Sequence, residues 1–201
     1  MLITATNTFV SLPLAIYIGM KLINFKVDFK FQMEDLPSPT KLVVQCLFCM
    51  IVEDFCVHFT HRLHHNKYLY PYFHKVHHQF RVSIALAVEV LHPVEFFVNI
   101  FTAGGIGPYI LGSHIHFTSV IIYSFLRFNE AIDEHSGYEF PWSPYRLIPF
   151  QTSAAYHDFH HTNNVGNYSE FFIFWDYIFG SNKVYYESLE SKKKEDRAKL
   201  E

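Results

Sequence analysis

Histidine is the residue that most constrains this chain. Fourteen of its 201 residues are histidine, and most gather at three places beside strongly apolar stretches. The first place is Asp54, His58, His61 and His65, spaced 4, 3 and 4 apart. At roughly 100° per residue a helix holds all four within an arc of about 60°, so they are expected to point into one place. His64 falls at the edge of that face and Arg62 points away from it. The second place is His74, His77 and His78 in HKVHH, and the third is His157, His160 and His161 in HDFHH. Both repeat the spacing HxxHH, which on a helix sets the outer pair at i and i+4 and the middle ring at i+3. Helical metal motifs reach one ion with two histidines at that same i, i+4 spacing.

A lone buried histidine is usually a hydrogen-bonded structural group. Eight in three boxes have no inexpensive structural explanation, because burying so many polar rings without partners costs several kcal/mol in total. A metal satisfies them together. Imidazole suits Zn, Cu, Fe and Ni, but a catalytic zinc needs only about three protein ligands. Eight or more rings therefore imply two metals with four or five nitrogens each, a coordination that iron accepts. Neutral imidazoles leave the metal charge uncompensated, so the carboxylates Asp54, Asp133 and Asp158 are expected to accept outward ring N–H groups. Soluble di-iron bundles combine Glu with a Glu-x-x-His motif on facing helices, and that repeated pattern does not occur here.

The surroundings of the boxes point to a membrane. Hydrophobic residues make up 50% of the chain and aromatics 18%, against 17% charged, more apolar surface than a small soluble domain buries. Residues 2–24 read as a first membrane helix, and KVDFKFQMEDLPSPT as a connector closed by Pro37 and Pro39. A second helix is expected from Thr40 as N-cap. Two more are expected over Val82 to Phe101 and Ile106 to Phe128, with Gly104, Gly105, Gly107 and Pro108 as the turn between them. Glu89, His92, Glu95, His114 and His116 lie within those runs, and ionisable residues at such depth usually face the protein interior and often mark function. Beyond them, Asp133 to Asn167 is turn-rich and expected to fold over the site, and Phe171 to Phe179 suits the interface.

The expectation is an all-α protein, with about three or four integral membrane helices and a cytosolic histidine-rich helical cap holding a di-metal site. Its parts are an N-terminal membrane helix and connector at 1–40, a catalytic region at 41–186 and a charged tail at 187–201. Cys46, Cys49 and Cys56 make no zinc site or disulfide framework and read as apolar helix positions. A net charge of −3 gives no basic field, so nucleic acid is set aside.

Written as HRLHH, HKVHH and HDFHH, the boxes resemble those of the fatty acid hydroxylase and sterol desaturase superfamily. The segments IVEDF, EVLHPVE, EHSGYEFPWSP and NNVGNYSEFFIFWDYIFGSNKVY narrow the likeness to the C-4 methylsterol monooxygenases, from about Val52 to Tyr186. The resemblance implies iron ligands at His61, His65, His74, His77, His78, His157, His160 and His161, and at His135 in the HSGY context. His92 in HPVE also matches, with a structural role as its alternative, and His58 is added by the helix face alone. His64, His114 and His116 are left as non-ligands. Two departures stand out: only 60 residues precede His61, and Arg197 and Lys199 stand where members often end in a two-lysine retrieval signal.

The resemblance further implies two Fe ions that use O2 to oxidise the C-4 methyl of a sterol stepwise to alcohol, aldehyde and carboxylate. It places the protein in the endoplasmic reticulum membrane, multi-pass, with the metal site facing the cytosol. Electrons would come from NAD(P)H through cytochrome b5, since no GxGxxG fingerprint is present, and Lys75 and Arg81 could face such an acidic donor. The alternatives are a hydroxylase or desaturase of another lipid, a catalytically silent zinc-binding membrane protein, and a zinc hydrolase, which would lack the HExxH base.

Overall fold

A computed structural model describes residues 2–22 and 29–200. The end of the first apolar run and the start of the connector, residues 23–28, lie outside the described residues. Among the described residues the chain is all-helical, with two isolated bridges, Lys30 to His116 and Gln151 to Phe172, and no strand.

The first helical run, α1, covers 2–22 and has a π-helical turn at Asn7–Ser11. Buried Asn7 ties it to the body by donating to the Leu91 carbonyl at 2.9 Å. Helix α2, Pro39–His64, starts at Ser38 rather than Thr40: the Ser38 hydroxyl accepts from Lys41 N at 3.3 Å, and Pro39 takes the first position, where a missing N–H costs nothing. Its outward face is apolar, and its inward face carries ionisable and polar groups among Cys46, Cys49, Met50 and Val57. Val43, Val44, Leu47, Ile51, Phe55 and Phe59 are exposed, while Gln45, Glu53, Asp54, His58, His61 and His64 are buried. A water-soluble helix has the opposite arrangement; this one suits a lipid surround with ionisable groups turned to the interior.

The expected helix over Val82 to Phe101 begins late. A 3₁₀ turn at Ala85–Glu89 leads into extended backbone at His92, and α3 starts only at Pro93, because the residue before proline is pushed out of the helical region. Helix α3 then runs 93–111, passing straight through Gly104, Gly105, Gly107 and Pro108 as a π-helical turn followed by a further α-helical turn. The expected turn is therefore absent there and falls instead at Gly112, whose φ of 50° suits glycine. Gly107 serves packing: a Cβ on it would stand 2.9 Å from Cys49 Cα, so α2 and α3 approach at the backbone.

Helix α4, Phe117–Glu134, carries Arg127, Glu130, Asp133 and Glu134, so the expected apolar run over Ile106 to Phe128 is divided between two helices. By length and composition, Pro39–His64 and Pro93–His114 are the two helices able to cross a membrane among the described residues, and Leu2–Ile18 is a shorter apolar helix. Arg127 holds α4 to α2. Its Nε donates to Glu53 at 3.0 Å, it pairs with Glu130, and its Nη2 lies 3.4 Å from Glu170. Tyr123 donates to Glu53 as well. Beside this network lies a small core of Cys46, Cys49, Met50, Ile115, Tyr123, Phe171 and Phe172.

Three helices complete the chain. Helix α5, Ala154–Asn163, is capped by Ser153, and α6, Phe174–Phe179, closes at Gly180 with φ 68°. Helix α7, Lys183–Ala198, has no buried residue.

Candidate metal centre

The histidine boxes meet where the end of α2, the 3₁₀ turn His74–Gln79, the end of α4 and helix α5 converge. They form two groups. His61, His65, His74, His78 and His160 make the first and His77, His135, His157 and His161 the second; within each, one nitrogen per ring lies within 4.8 Å of all the others. The boxes do not map one to a group. The outer pair of the second box, His74 and His78, sits with the middle ring of the third, His160; the outer pair of the third, His157 and His161, sits with the middle ring of the second, His77. The second box lies in a 3₁₀ turn rather than the α-helix its spacing suggested.

Within the first group, Nε2 of His160 lies 3.1 Å from Nε2 of His65 and 3.2 Å from that of His78, and His78 and His74 are 3.0 Å apart. In the second, Nε2 of His157 is 2.9 Å from that of His135 and 3.0 Å from that of His161, with His135 and His77 at 3.4 Å. Ring nitrogens at right angles around an ion about 2.1 Å away stand about 3.0 Å apart. The spacing is that of a shared cation.

The outward nitrogens fix the tautomers. Nδ1–H of His61 donates to the Tyr168 carbonyl at 3.0 Å, that of His160 to Gly166 at 2.6 Å and that of His135 to Ala131 at 2.8 Å. A carbonyl can only accept, so these three rings carry a lone pair at the inward Nε2. His74 Nδ1 stands 2.5 Å from Glu95 Oε1 in the same sense. Lone pairs converging in a buried site repel one another unless a cation lies between them, and Nε2 of His61 is buried with no hydrogen-bond partner. The donor set therefore fits metal. Burial, followed by the neighbouring rings, drives His77, His157 and His160 well below the ordinary histidine range. Burial likewise takes His135 to about 3 and His161 to about 4. All are neutral near pH 7, the form that binds metal.

The other expected residues are placed elsewhere. Asp54 and His58 share the α2 face with His61 and His65 but lie lower on it: Asp54 is 11 residues, about 16 Å, from His65, and His58 is one turn, about 4.5 Å, before His61. Asp54 accepts the backbone N–H groups of Glu170, Phe171 and Phe172. His58 lies 3.4 Å from Ser169 and from Asp176, stacked on Phe179, outside both groups. His92 caps α3, its Nδ1 accepting from Val94 N at 3.2 Å. Asp133 pairs with Arg146 and accepts from Ser143, and Asp158 accepts from Ser83 N, acting on His161 through charge alone.

Glu95 takes the place expected of those aspartates, and Glu134 lies near a ring without bonding it. Glu95 faces His74 and forms a third cluster with His74 and His64, which was left out of the ligand set. Glu134 has an oxygen 3.6 Å from His157 Nδ1. Glu95 was visible as an acid inside an apolar run; Glu134 had only its position beside His135 as a signal. A cavity of about 100 Å³ opens beside both groups, lined by His61, His64, His74, His77 and His135, by the polar Thr60, Glu95, Asn99 and Glu170, and by the apolar Val57, Val88 and Leu91.

Residues 46–181 match the sequence profile of the family described as fatty acid hydroxylase. Methylsterol monooxygenase 1 of Rattus norvegicus is 37% identical over 190 residues, covering 92% of this chain and 62% of its own length. That of Gallus gallus is also 37% identical, covering 93% and 62%. A very-long-chain aldehyde decarbonylase of Oryza sativa subsp. indica is 38% identical over 164 residues, covering 80% of this chain and 60% of its own length. The chain thus spans about three fifths of the curated relatives it matches. No solved structure matches it. The chain belongs to the fatty acid hydroxylase family, a family of non-haem di-iron membrane oxidoreductases.

Proposed function

We propose that the chain is the catalytic part of an oxygen-dependent lipid oxidase in which His61, His65, His74, His78 and His160 hold one iron and His77, His135, His157 and His161 hold the other. The observation that carries this reading is the convergence of inward ring nitrogens at 2.9–3.4 Å in both groups. Two ferrous ions held there would supply the chemistry that activates O2 for oxidation of an unactivated C–H bond. The chain's own residues do the rest. Carbonyls and Glu95 hold the rings in one tautomer. Val57, Val88 and Leu91, the apolar part of a lining that is otherwise polar, are where the reacting carbon would rest. The cavity of about 100 Å³ is well below the ~300–1,000 Å³ of sites that enclose a whole ligand. It suits the reacting end of a lipid whose remainder lies outside.

For the substrate we propose the C-4 methyl of a sterol intermediate in sterol biosynthesis. The likeness to methylsterol monooxygenase 1 supports this, because it extends over 92% of the chain, against 80% for the decarbonylase. Hydroxylation of a methyl group consumes one O2, two electrons and two protons and yields the alcohol and water. Electrons from NAD(P)H through cytochrome b5, and an endoplasmic reticulum location with the site toward the cytosol, belong to the same reading. A second reading, action on a long-chain aldehyde, is favoured by the 38% identity to the decarbonylase. The test is iron-loaded protein in detergent, given O2, a reductant and either a 4-methyl sterol or a long-chain aldehyde. Oxygen-dependent conversion of the sterol methyl to its alcohol with two irons per chain is expected. Turnover of the aldehyde alone would replace the substrate, and one zinc per chain without iron would overturn the oxidase.

A further inference from the structure

The segment between α5 and α6 is gripped from one side and used from the other. Five consecutive peptide N–H groups are taken by two fully buried carboxylates. Asp176 accepts from Tyr168 N at 2.9 Å and Ser169 N at 3.0 Å, and Asp54 from Glu170, Phe171 and Phe172 at 3.3, 2.8 and 3.0 Å. Asp176 also accepts from the Tyr156 hydroxyl at 2.8 Å and the Ser181 hydroxyl at 2.6 Å. The carbonyls of the same segment take the outward N–H groups of His61, at Tyr168, and of His160, at Gly166. Between those carbonyls the backbone is left-handed at Gly166 and Asn167, with φ 66° and 51°. Buried Asn167 pins that kink by donating to the Tyr156 carbonyl at 2.9 Å.

We propose that Asp176 and Asp54 are positioning residues of the first histidine group: by fixing the segment they fix the two carbonyls that turn Nε2 of His61 and His160 inward. The inference rests on the reading of both groups as ion sites. Occupancy of the first group depends on the two aspartates, and occupancy of the second does not, because the acceptor of its His135, the Ala131 carbonyl, and the carboxylate nearest His157, Glu134, both lie on α4. The carboxylate form matters. Each oxygen of Asp176 accepts two hydrogen bonds, from Tyr168 N and Ser181 Oγ on one, which also lies 3.4 Å from His58 Nδ1, and from Ser169 N and Tyr156 Oη on the other. An asparagine amide would set its own N–H2 against two of them.

The experiment is a cobalt(II) titration of the full chain in detergent, followed by absorbance and by metal-to-protein ratio. Wild type is expected to bind two equivalents; failure to do so overturns the two-ion reading itself, before any variant is made. Asp176→Asn is expected to keep one ion at wild-type affinity and to bind the other roughly 10-fold to 100-fold more weakly. Adding His135→Ala to it removes the remaining ion, whereas adding His61→Ala does not. Two ions bound as tightly as in wild type, or both weakened alike, would overturn the positioning role. Should Asp176→Asn fail to fold, Ser181→Ala removes one of the four bonds and is read the same way: selective weakening of the first ion supports the role, and equal weakening of both overturns it.

Discussion

The two histidine groups use the same ring chemistry but are supported differently. In the first, the rings come from the end of α2, the turn His74–Gln79 and α5, and three outward nitrogens face acceptors on other elements or at a distance along the chain: Tyr168, Gly166 and Glu95. In the second, His135 donates to Ala131 one turn back on its own helix, and His157 faces Glu134 at 3.6 Å, beyond hydrogen-bond range. The first group is thus shaped by distant parts of the chain, and the second mainly by helix ends. Preorganisation of donors is what such outer partners contribute to a metal site, so the first group is the more rigid cage.

The largest effect that tests this contrast is removal of a ring from each. His160→Ala and His157→Ala are each expected to abolish turnover, by about 100-fold or more, because neither ion alone suffices. Metal analysis should find one ion lost in each variant, a different one. Outer partners come next. Glu95→Gln should weaken the first ion by roughly 10-fold to 100-fold, while Glu134→Gln, whose carboxylate makes no close hydrogen bond, should weaken the second by less; equal losses in a competitive chelator titration would remove the difference in rigidity. The smallest effect is on the metal-free chain. His135 and His161, at about 3 and about 4, refuse a proton that the unfolded chain accepts near 6.5. Below pH 6.5 the unfolded state therefore binds more protons than the folded one, and stability falls as pH falls toward 4. Thermal unfolding at pH 7.5 and 5.5 should show the lower midpoint at 5.5.

Much of the site was legible because ring spacing is a local property. The HxxHH boxes named all the rings of boxes two and three that converge, and EHSGY pointed to His135. The helix-face argument overreached at Asp54 and His58 because it measured angle and ignored height along the axis. The expected carboxylates failed similarly: Asp133 and Asp158 are close to ligands in sequence, yet their nearest donors are Arg146 and Ser83. Tertiary contacts chose Glu95 instead and brought Glu134 near His157 without a hydrogen bond. In the fold, Gly104, Gly105 and Gly107 read as a turn because glycine and proline punctuate soluble chains. Here Gly104 and Gly105 sit inside a helix that continues through a π-turn, and Gly107 allows Cys49 to come close. The exchange of middle rings between boxes two and three had no local signal, since it depends on how α5 lies against the His74–Gln79 turn.

That exchange also sets an order in time. Four of the five rings of the first group lie between His61 and His78, while the second holds only His77 until His135 and then His157 and His161 are made. A chain leaving the ribosome would carry most of one cage long before it carried half of the other. Synthesis from the N-terminus would then lay down most of the first group's rings early, while its fifth ring, His160, and the carbonyls of Gly166 and Tyr168 that orient His160 and His61 arrive only with α5 and the segment after it.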